Sequence, residues 1–318
     1  MKEVKIGVPQ GSILGPLLFL IYINDLPNAC RLSTCFLYAD DTAIFFESNN
    51  LKILQSSIDN ELPKLCEWLQ VNKLSLNTDK TVYQIYNNSQ TKIDVSVKLD
   101  GVRIRHVEKV KYLGLYIDSE LNWKYHIDYL TSVLSRNIGT INRAKFFVDK
   151  KHLLLLYNSL VLPYINYCCL VWGHTFPTYL HKIETLQKRA VRIIDQQHWL
   201  AHSNPIFGNL KLLKVKDIAQ QQTIMVMHRK ITRTLPDTLD PLFMLTDRNC
   251  NIVTRRRNHF DEKFTEKLYR TRIVTWIGPR IWNRIISLNY SIQEVAELSK
   301  CQLKNVTKKK HFLNTYEE

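Results

Sequence analysis

Residues 35–46 read Cys-Phe-Leu-Tyr-Ala-Asp-Asp-Thr-Ala-Ile-Phe-Phe, so that two adjacent acids stand inside an apolar stretch. Aromatic and β-branched residues on both sides predict two strands, and the Asp-Asp-Thr step predicts a hairpin turn between them. Two neighbouring carboxylates repel each other, and their oxygens are hard ligands that suit Mg²⁺. The stretch therefore predicts a cation-binding hairpin, with a solvated hairpin tip as the alternative.

A second informative stretch lies just upstream, where residues 7–19 read Gly-Val-Pro-Gln-Gly-Ser-Ile-Leu-Gly-Pro-Leu-Leu-Phe. It holds three of the nine glycines in the chain. Clustered glycines allow a ligand to approach the backbone closely, and Ser12 or Pro16 can open a helix that continues to Leu26. The alternative is a structural turn followed by a buried helix.

These two motifs, in this order, resemble the reverse transcriptases of non-LTR retrotransposons of the jockey-like kind. Further matches follow along the chain, and they are residues 73–81, 112–118 with 121–123, 160–167 with 172–173, and 278–283. The resemblance therefore covers nearly the whole sequence, and it implies an RNA-directed DNA polymerase that uses an RNA template, a DNA primer and a two-ion Mg²⁺ site.

The resemblance also implies roles for individual residues. Asp40 and Asp41 would be catalytic and would bind the metal. The positions implied for template and nucleotide binding are Gln10, Gly11, Tyr38 and Lys80. The implied primer grip is Tyr112, Leu113 and Gly114.

One element of the family pattern is not matched. The family's first catalytic aspartate precedes the glycine-rich loop, and this sequence begins six residues before Gly7. A ligand shared by both metal ions is worth several kcal/mol in the transition state, or roughly three powers of ten in rate. We therefore expect a truncated enzyme that is weak or inactive alone. The alternative is a non-catalytic, nucleic-acid-binding remnant of such an element.

The charge of the chain is unevenly distributed. Residues 1–100 hold 9 Lys+Arg and 11 Asp+Glu, whereas residues 101–318 hold 35 and 18, which gives +17. A positive field of this size suits a polyanion such as nucleic acid. Lys145 and Arg189, on two predicted helices, are further candidates for contact with nucleic acid. The basic runs at 255–257 and 308–310 are weaker candidates for the same contact. The predicted nucleic-acid contacts are Arg136, Arg143, Lys188 and Arg192. The alternative for each cluster is a solvated surface.

Composition excludes other classes of protein. No apolar run reaches the length of a membrane span, and no secretory leader opens the chain, so we expect an intracellular protein of the nucleus or cytoplasm. Seven cysteines without a Cys-x-x-Cys spacing argue against a disulfide framework. Cys168, Cys169 and His174 are close in sequence, but adjacent cysteines are poorly arranged for zinc. Trp276 and Trp282 are more readily explained by burial than by base stacking.

The fold class we predict is α+β: a partial polymerase palm, with an antiparallel sheet and packed helices, followed by a mostly helical thumb-like region. The palm would span residues 1–122, the thumb-like region 123–235 and a basic C-terminal region 236–318. Helices are predicted over 16–26 and 51–71, with Pro63 as a possible kink, and from residue 125 onward. Strands are predicted over 81–86, 95–99, 102–105 and 111–117. The oligomeric state stays open.

Overall fold

The computed structural model describes residues 11–87, 93–244, 260, 262, 273–285 and 298–308. The chain divides into two compact units, residues 1–110 and residues 111–318, each with its own hydrophobic core. The fold is mixed, mostly helical with small sheets. This confirms the mixed class that we predicted, while the assignment of palm and thumb stays a prediction.

The described elements of the first unit are two helices, six short strands and the start of a seventh. They are α1 (Leu14–Ile23), β1 (Thr34–Tyr38), β2 (Asp41–Phe45), α2 (Leu51–Val71), β3 (Val82–Tyr83), β4 (Lys98–Leu99), β5 (Val102–Arg103), β6 (Arg105–His106) and the start of β7 (Lys109–Tyr112). A 3₁₀ turn at Leu26–Ala29 follows α1. The helix predicted over 16–26 thus ends earlier, at Ile23, because Pro27 has no N–H to donate to the carbonyl of Ile23 and its ring clashes with that carbonyl in a continued helix.

Helix α2 organises the core of the first unit, and its bounds are those we predicted. Asn50 caps its start, where its side-chain oxygen accepts a hydrogen bond from the backbone N–H of Lys52 at 2.9 Å. The helix runs through Pro63 without ending there. Its face of Ile58, Leu62 and Leu65 is buried against Ile23, Leu26, Val95, Leu99 and Ile104.

A buried carboxylate ties α2 to the chain that enters β1. Glu61 is 2% exposed, and its Oε2 accepts a hydrogen bond from the backbone N–H of Arg31 at 3.0 Å. The same oxygen also accepts from the N–H of Leu32, and the Oε1 of Glu61 accepts from the hydroxyl of Ser33. Since Thr34 is the next residue and begins β1, this one side chain fixes where the acidic hairpin leaves the core.

The strands of the first unit form small pairs. β1 and β2 are antiparallel, with Tyr38 opposite Asp41, and β4 and β5 form a second antiparallel hairpin. β3 and β6 pair in parallel, which differs from the wholly antiparallel sheet that we predicted. The predicted strand over 102–105 is interrupted at Ile104, which is 3% exposed and whose N–H bonds the carbonyl of Val97 at 2.9 Å.

The described elements of the second unit are the rest of β7, one further strand and nine helices. They are β8 (Leu115–Asp118), α3 (Lys124–Ala144), α4 (Lys150–Leu160), α5 (Leu162–Asn166), α6 (Cys169–Trp172), α7 (Pro177–Ile194), α8 (Ser203–Asn209), α9 (Val215–Ile231), α10 (Val274–Ile285) and α11 (Lys300–Val306). β7 and β8 form a hairpin, so the single strand predicted over 111–117 turns at Leu113 and Gly114.

Three long helices hold the core of the second unit. The apolar stripe that we predicted on α3 is buried throughout, and its members are Ile127, Leu130, Val133, Leu134, Ile138 and Ile141. Helix α7 packs on α3, and its Gln187 is buried, donating to the hydroxyl of Tyr157 at 2.9 Å and to the carbonyl of Leu213 at 2.8 Å. The same amide accepts from the N–H of Val215 at 3.0 Å, which joins α4, α7 and α9.

The packing of α6 on α9 requires a residue without a side chain. A Cβ placed on Gly173 would lie 2.5 Å from the carbonyl oxygen of Cys169 and 2.7 Å from the Cβ of Ala219. Gly278 in α10 is similar, since a Cβ there would lie 2.8 Å from the Sδ of Met227. Trp172 and Trp282 are both fully buried, as predicted for Trp282.

We predict that Glu61→Ala loosens the acidic hairpin. Removing an acceptor for three donors in residues 31–33 should cost about 2 to 4 kcal/mol, since hydrogen bonds to charged groups are worth about 1.5 to 3 kcal/mol each and are not additive. Hydrogen–deuterium exchange of the peptide covering 34–45 should accelerate more than about tenfold. Glu67→Ala, on the exposed face of the same helix, is the control. Equal exchange in both variants would contradict the role of Glu61.

We predict that acid destabilises the second unit between pH 6.5 and 4. Burial lowers the pKa of His126 and of His174 to about 4. The unfolded chain then binds more protons than the folded chain in this window, so stability is complete above pH 6.5 and falls as the pH drops toward 4. Thermal unfolding at a series of pH values measures this. His126→Leu should flatten the profile and His198→Ala, which alters an exposed ring, should not; an unchanged profile in His126→Leu would exclude this explanation.

Candidate active site and nucleic-acid interface

The acidic hairpin has the geometry that its sequence predicts. Ala39 and Asp40 connect β1 to β2, and Ala39 takes a positive φ of 51°. That conformation is costly for a residue with a Cβ, and it tightens the turn. Phe36 and Phe45 meet edge to face with ring centroids 5.4 Å apart, which supports the two strands behind the turn. Asp40 and Asp41 are thereby presented at the end of a short antiparallel ribbon.

Both carboxylates are exposed, and neither has a hydrogen-bond or ion-pair partner among the described residues. Their lone pairs are therefore available to a cation. Mg²⁺ is usually held by one or two carboxylates together with waters and substrate phosphates, so this donor set fits it. Within the described ranges no group of three or more His, Cys, Asp or Glu side chains is arranged to hold a metal ion. Beyond this pair, Mg²⁺ sites commonly take further ligands from substrate phosphates and water.

The other residues implied for template and nucleotide binding lie on separate elements. Tyr38 is 63% exposed and faces Asp41 across the hairpin. Gly11 is exposed, with a φ of 83°, just before α1. Lys80 is exposed in the turn before β3, where its N–H bonds the Asn77 side chain at 3.1 Å. Gln10 lies outside the described residues.

Helix α1 is not the buried helix of the alternative interpretation. Only Gly15 and Ile23 of its ten residues are buried, and its leucines are largely exposed.

The residues implied for the primer grip form the turn between β7 and β8. Leu113 and Gly114 have positive φ values of 45° and 81°, and the hydroxyl of Tyr167 donates to the carbonyl of Leu113 at 2.6 Å. A Cβ on Gly114 would lie 3.3 Å from the Cε1 of Tyr167. The role of Tyr167 was missed, although it ends a matched motif. Sequence spacing carried no signal for the contact with Leu113, because the two residues stand 54 positions apart.

The four basic residues predicted to contact nucleic acid lie on two helices, α3 and α7, as the sequence analysis placed them. Arg136 and Arg143 are exposed on α3 and stand seven residues apart, which places them on one face of that helix. Lys188 lines a cavity of about 330 Å³ beside Phe207 and Lys214. Arg192 lines a different groove with Lys145 and Arg189. That these residues contact nucleic acid stays a prediction.

Other sequence-derived candidates are less suited to chemistry. Burial raises the pKa values of the Cys168 and Cys169 thiols, which lowers their reactivity as thiolates. Of the two basic runs, residues 255–257 lie outside the described residues, as do Lys309 and Lys310. Burial and the charges of Lys304 and Lys211 lower the pKa of Lys308. Along the described chain, no helix has both the length and the apolar character needed to cross a bilayer.

Comparisons with known proteins show what parts of the chain are similar to. Residues 2–117 match the family described as reverse transcriptase (RNA-dependent DNA polymerase). The chain is 27% identical over 242 residues to the RNA-directed DNA polymerase from mobile element jockey of Drosophila melanogaster, covering 72% of this chain and 26% of that protein. It is 29% identical over 229 residues to the jockey polymerase of Drosophila funebris, covering 68% of this chain and 25% of that protein.

A more distant relative is a Pol polyprotein from the type-1 retrotransposable element R1 of Bradysia coprophila. It is 25% identical over 181 residues, which cover 55% of this chain and 18% of that protein. The chain spans about a quarter of the length of the jockey relatives that it matches. The chain therefore carries a reverse transcriptase domain and is, over about 70% of its length, a distant homologue of the reverse transcriptases of jockey-like non-LTR retrotransposons.

Proposed function

We propose that this chain forms part of an RNA-directed DNA polymerase of a non-LTR retrotransposon. Residues 1–122 are assigned to the palm, residues 123–235 to a helical thumb-like region and residues 236–318 to a basic C-terminal region. The observation that carries the proposal is the acidic hairpin, in which Asp40 and Asp41 are exposed, unpaired among the described residues and held at the end of a ribbon within the matched segment.

Asp40 and Asp41 are the residues that would hold the metal. Members of this family typically use Mg²⁺, which when bound supplies charge stabilisation at the phosphate oxygens of the nucleotide. Tyr38, across the hairpin from Asp41, offers a ring to the nucleotide or primer. Gly11 and Lys80 contribute close backbone approach and positive charge, and Gln10 completes the set implied for template binding.

The β7–β8 turn would hold the primer. The turn is formed by Tyr112, Leu113 and Gly114, and the last two have positive φ values. Because Gly114 has no side chain, the backbone at the turn is open to a primer strand. Tyr167 acts as a positioning residue, because its hydroxyl bonds the carbonyl of Leu113. RNA template and DNA primer are the partners of this proposal.

A second candidate function is nucleic-acid binding without chemistry. The net charge of +17 on residues 101–318 favours it, as does the small number of ligands at the hairpin. It predicts binding that weakens with salt and does not require Mg²⁺. Loss of tight binding only on Asp40→Ala would argue against this candidate.

We predict that Asp40→Asn and Asp41→Asn each weaken Mn²⁺ binding at least about tenfold in the presence of primer–template and nucleotide, since each removes a carboxylate ligand. Electron paramagnetic resonance of free Mn²⁺ measures the affinity without catalysis. The control is Asp100→Asn, an exposed acid at the turn of the β4–β5 hairpin.

Primer extension gives a second readout of the same variants. With two carboxylates in the described site, we expect weak synthesis by the chain alone. Robust templated synthesis abolished by Asp40→Ala would refute the expected weakness but support the metal assignment. Unchanged Mn²⁺ affinity in both asparagine variants would refute the metal assignment itself.

We predict that Gly114→Ala weakens primer–template binding severalfold. At a φ of 81° an alanine costs about 1 kcal/mol or more, and its Cβ would press on the ring of Tyr167. Filter binding with a primer–template duplex measures the effect. Gly139→Ala is the matched control, because it lies inside α3 with open space around its Cβ and should be neutral or slightly stabilising. Equal affinities in the two variants would remove the support for a grip at this turn.

A further inference from the structure

A groove lies between the C-terminal ends of α3 and α7 and the loop that follows α7. It measures about 690 Å³, within the size range of ligand sites in proteins. The residues of its lining that matter here are Asn142, Lys145, Phe146, Arg189, Arg192 and Trp199. The described lining contains three cations and no acidic side chain. This combination differs from the cavity lined by Lys188, which also contains Glu184 and Asp217.

Two aromatic rings of the groove are open to solvent. Phe146 is 76% exposed and Trp199 is 72% exposed, so neither contributes much to the core. The ammonium group of Lys145 lies 5.0 Å from the centre of the Phe146 ring. The Trp199 ring also contacts the ring of His198, with centroids 5.7 Å apart. Large exposed rings outside the core are a sign of a binding surface, and here they stand among cations rather than in an apolar patch.

The electrostatics of the groove favour an anion. Arg189 is exposed and makes no hydrogen bond or ion pair with any described residue. Arg192 is held in place, because its Nε donates to the carbonyl of Ala201 at 2.7 Å. The two helix ends contribute only about −0.5 charge each, so the three cations outweigh them. A ligand with both negative charge and flat apolar faces matches this arrangement.

We propose that this groove binds single-stranded nucleic acid, with bases stacked on Phe146 and Trp199 and phosphates beside Lys145 and Arg189. The inference extends the proposed function, since it adds a second nucleic-acid site that is built from residues of the second unit and uses none of the acidic hairpin. Single strands are favoured over duplexes because a duplex hides the faces of its bases, whereas an unpaired strand offers them to aromatic side chains.

Anisotropy of a labelled 12-nucleotide oligo-U RNA, oligo-dT DNA and a duplex of the same length tests the stacking. The full chain is used in EDTA, so that the hairpin metal plays no part. Phe146→Ala and Trp199→Ala should each weaken single-strand binding between about fivefold and about a hundredfold, the range for loss of one base stack. The two single strands show whether the groove prefers RNA or DNA. Phe147→Ala is the matched control, because Phe147 is 86% exposed but does not line the groove.

Salt dependence tests the phosphate contact. Arg189→Ala should reduce the slope of log affinity against log salt by about 0.7, the value for one lost phosphate contact on a single strand. Arg229→Ala removes the same charge from an exposed position at the end of α9, outside the groove, and should leave the slope nearly unchanged.

Three results would overturn the inference. They are an equal loss in Phe146→Ala and Phe147→Ala, an equal loss for duplex and single strands, and a change of oligomeric state in Trp199→Ala with unchanged oligonucleotide affinity, which would indicate a protein interface. Mn²⁺ binding should be normal in Trp199→Ala. A failure at the groove therefore leaves the assignment of the hairpin standing, and a failure of Mn²⁺ binding at the hairpin leaves the groove standing.

Discussion

The buried carboxylate of Glu61 is the interaction on which the proposed catalytic hairpin depends. A charge that is 2% exposed is tolerated only when donors surround it, and here the donors are the backbone of Arg31 and Leu32 and the hydroxyl of Ser33. The bonds use the three residues before β1, so α2 fixes the origin of the ribbon. Acids at the tip can then remain unpaired, because the stability of the ribbon comes from its other end.

The second unit uses a neutral group for the same purpose. The amide of Gln187 satisfies one acceptor on α4, one before α9 and one donor at the start of α9, all without a buried charge. This fixes the middle of α7 against its neighbours. The C-terminal end of α7 lies beyond that anchor, and there the packing with α3 opens into the groove.

Long periodic elements could be predicted from the sequence, and pairings set by tertiary contact could not. The apolar stripes of α2 and α3 repeat over many turns. Periodicity therefore predicted the bounds of α2 and the buried face of α3. Strands such as β3 and β6 have two residues each, and their parallel pairing depends on the course of the chain between them. The hairpin acids were found because they interrupt an apolar run. Phe146 and Trp199 were missed because an aromatic residue next to a helix end ordinarily indicates core, and only exposure distinguishes the two cases.

The acidic hairpin and the basic groove make opposite demands on ionic conditions. Phosphates are repelled by two unpaired carboxylates, and only a cation between them reverses the sign of that interaction. The proposed groove instead attracts phosphates directly. Added cations weaken that attraction, because they compete with its lysine and arginines for the phosphates. A divalent ion therefore strengthens nucleic-acid contact at one place while it reduces it at the other. On these proposals, added monovalent salt should weaken contact at the groove, whereas removal of divalent ions should weaken contact at the hairpin.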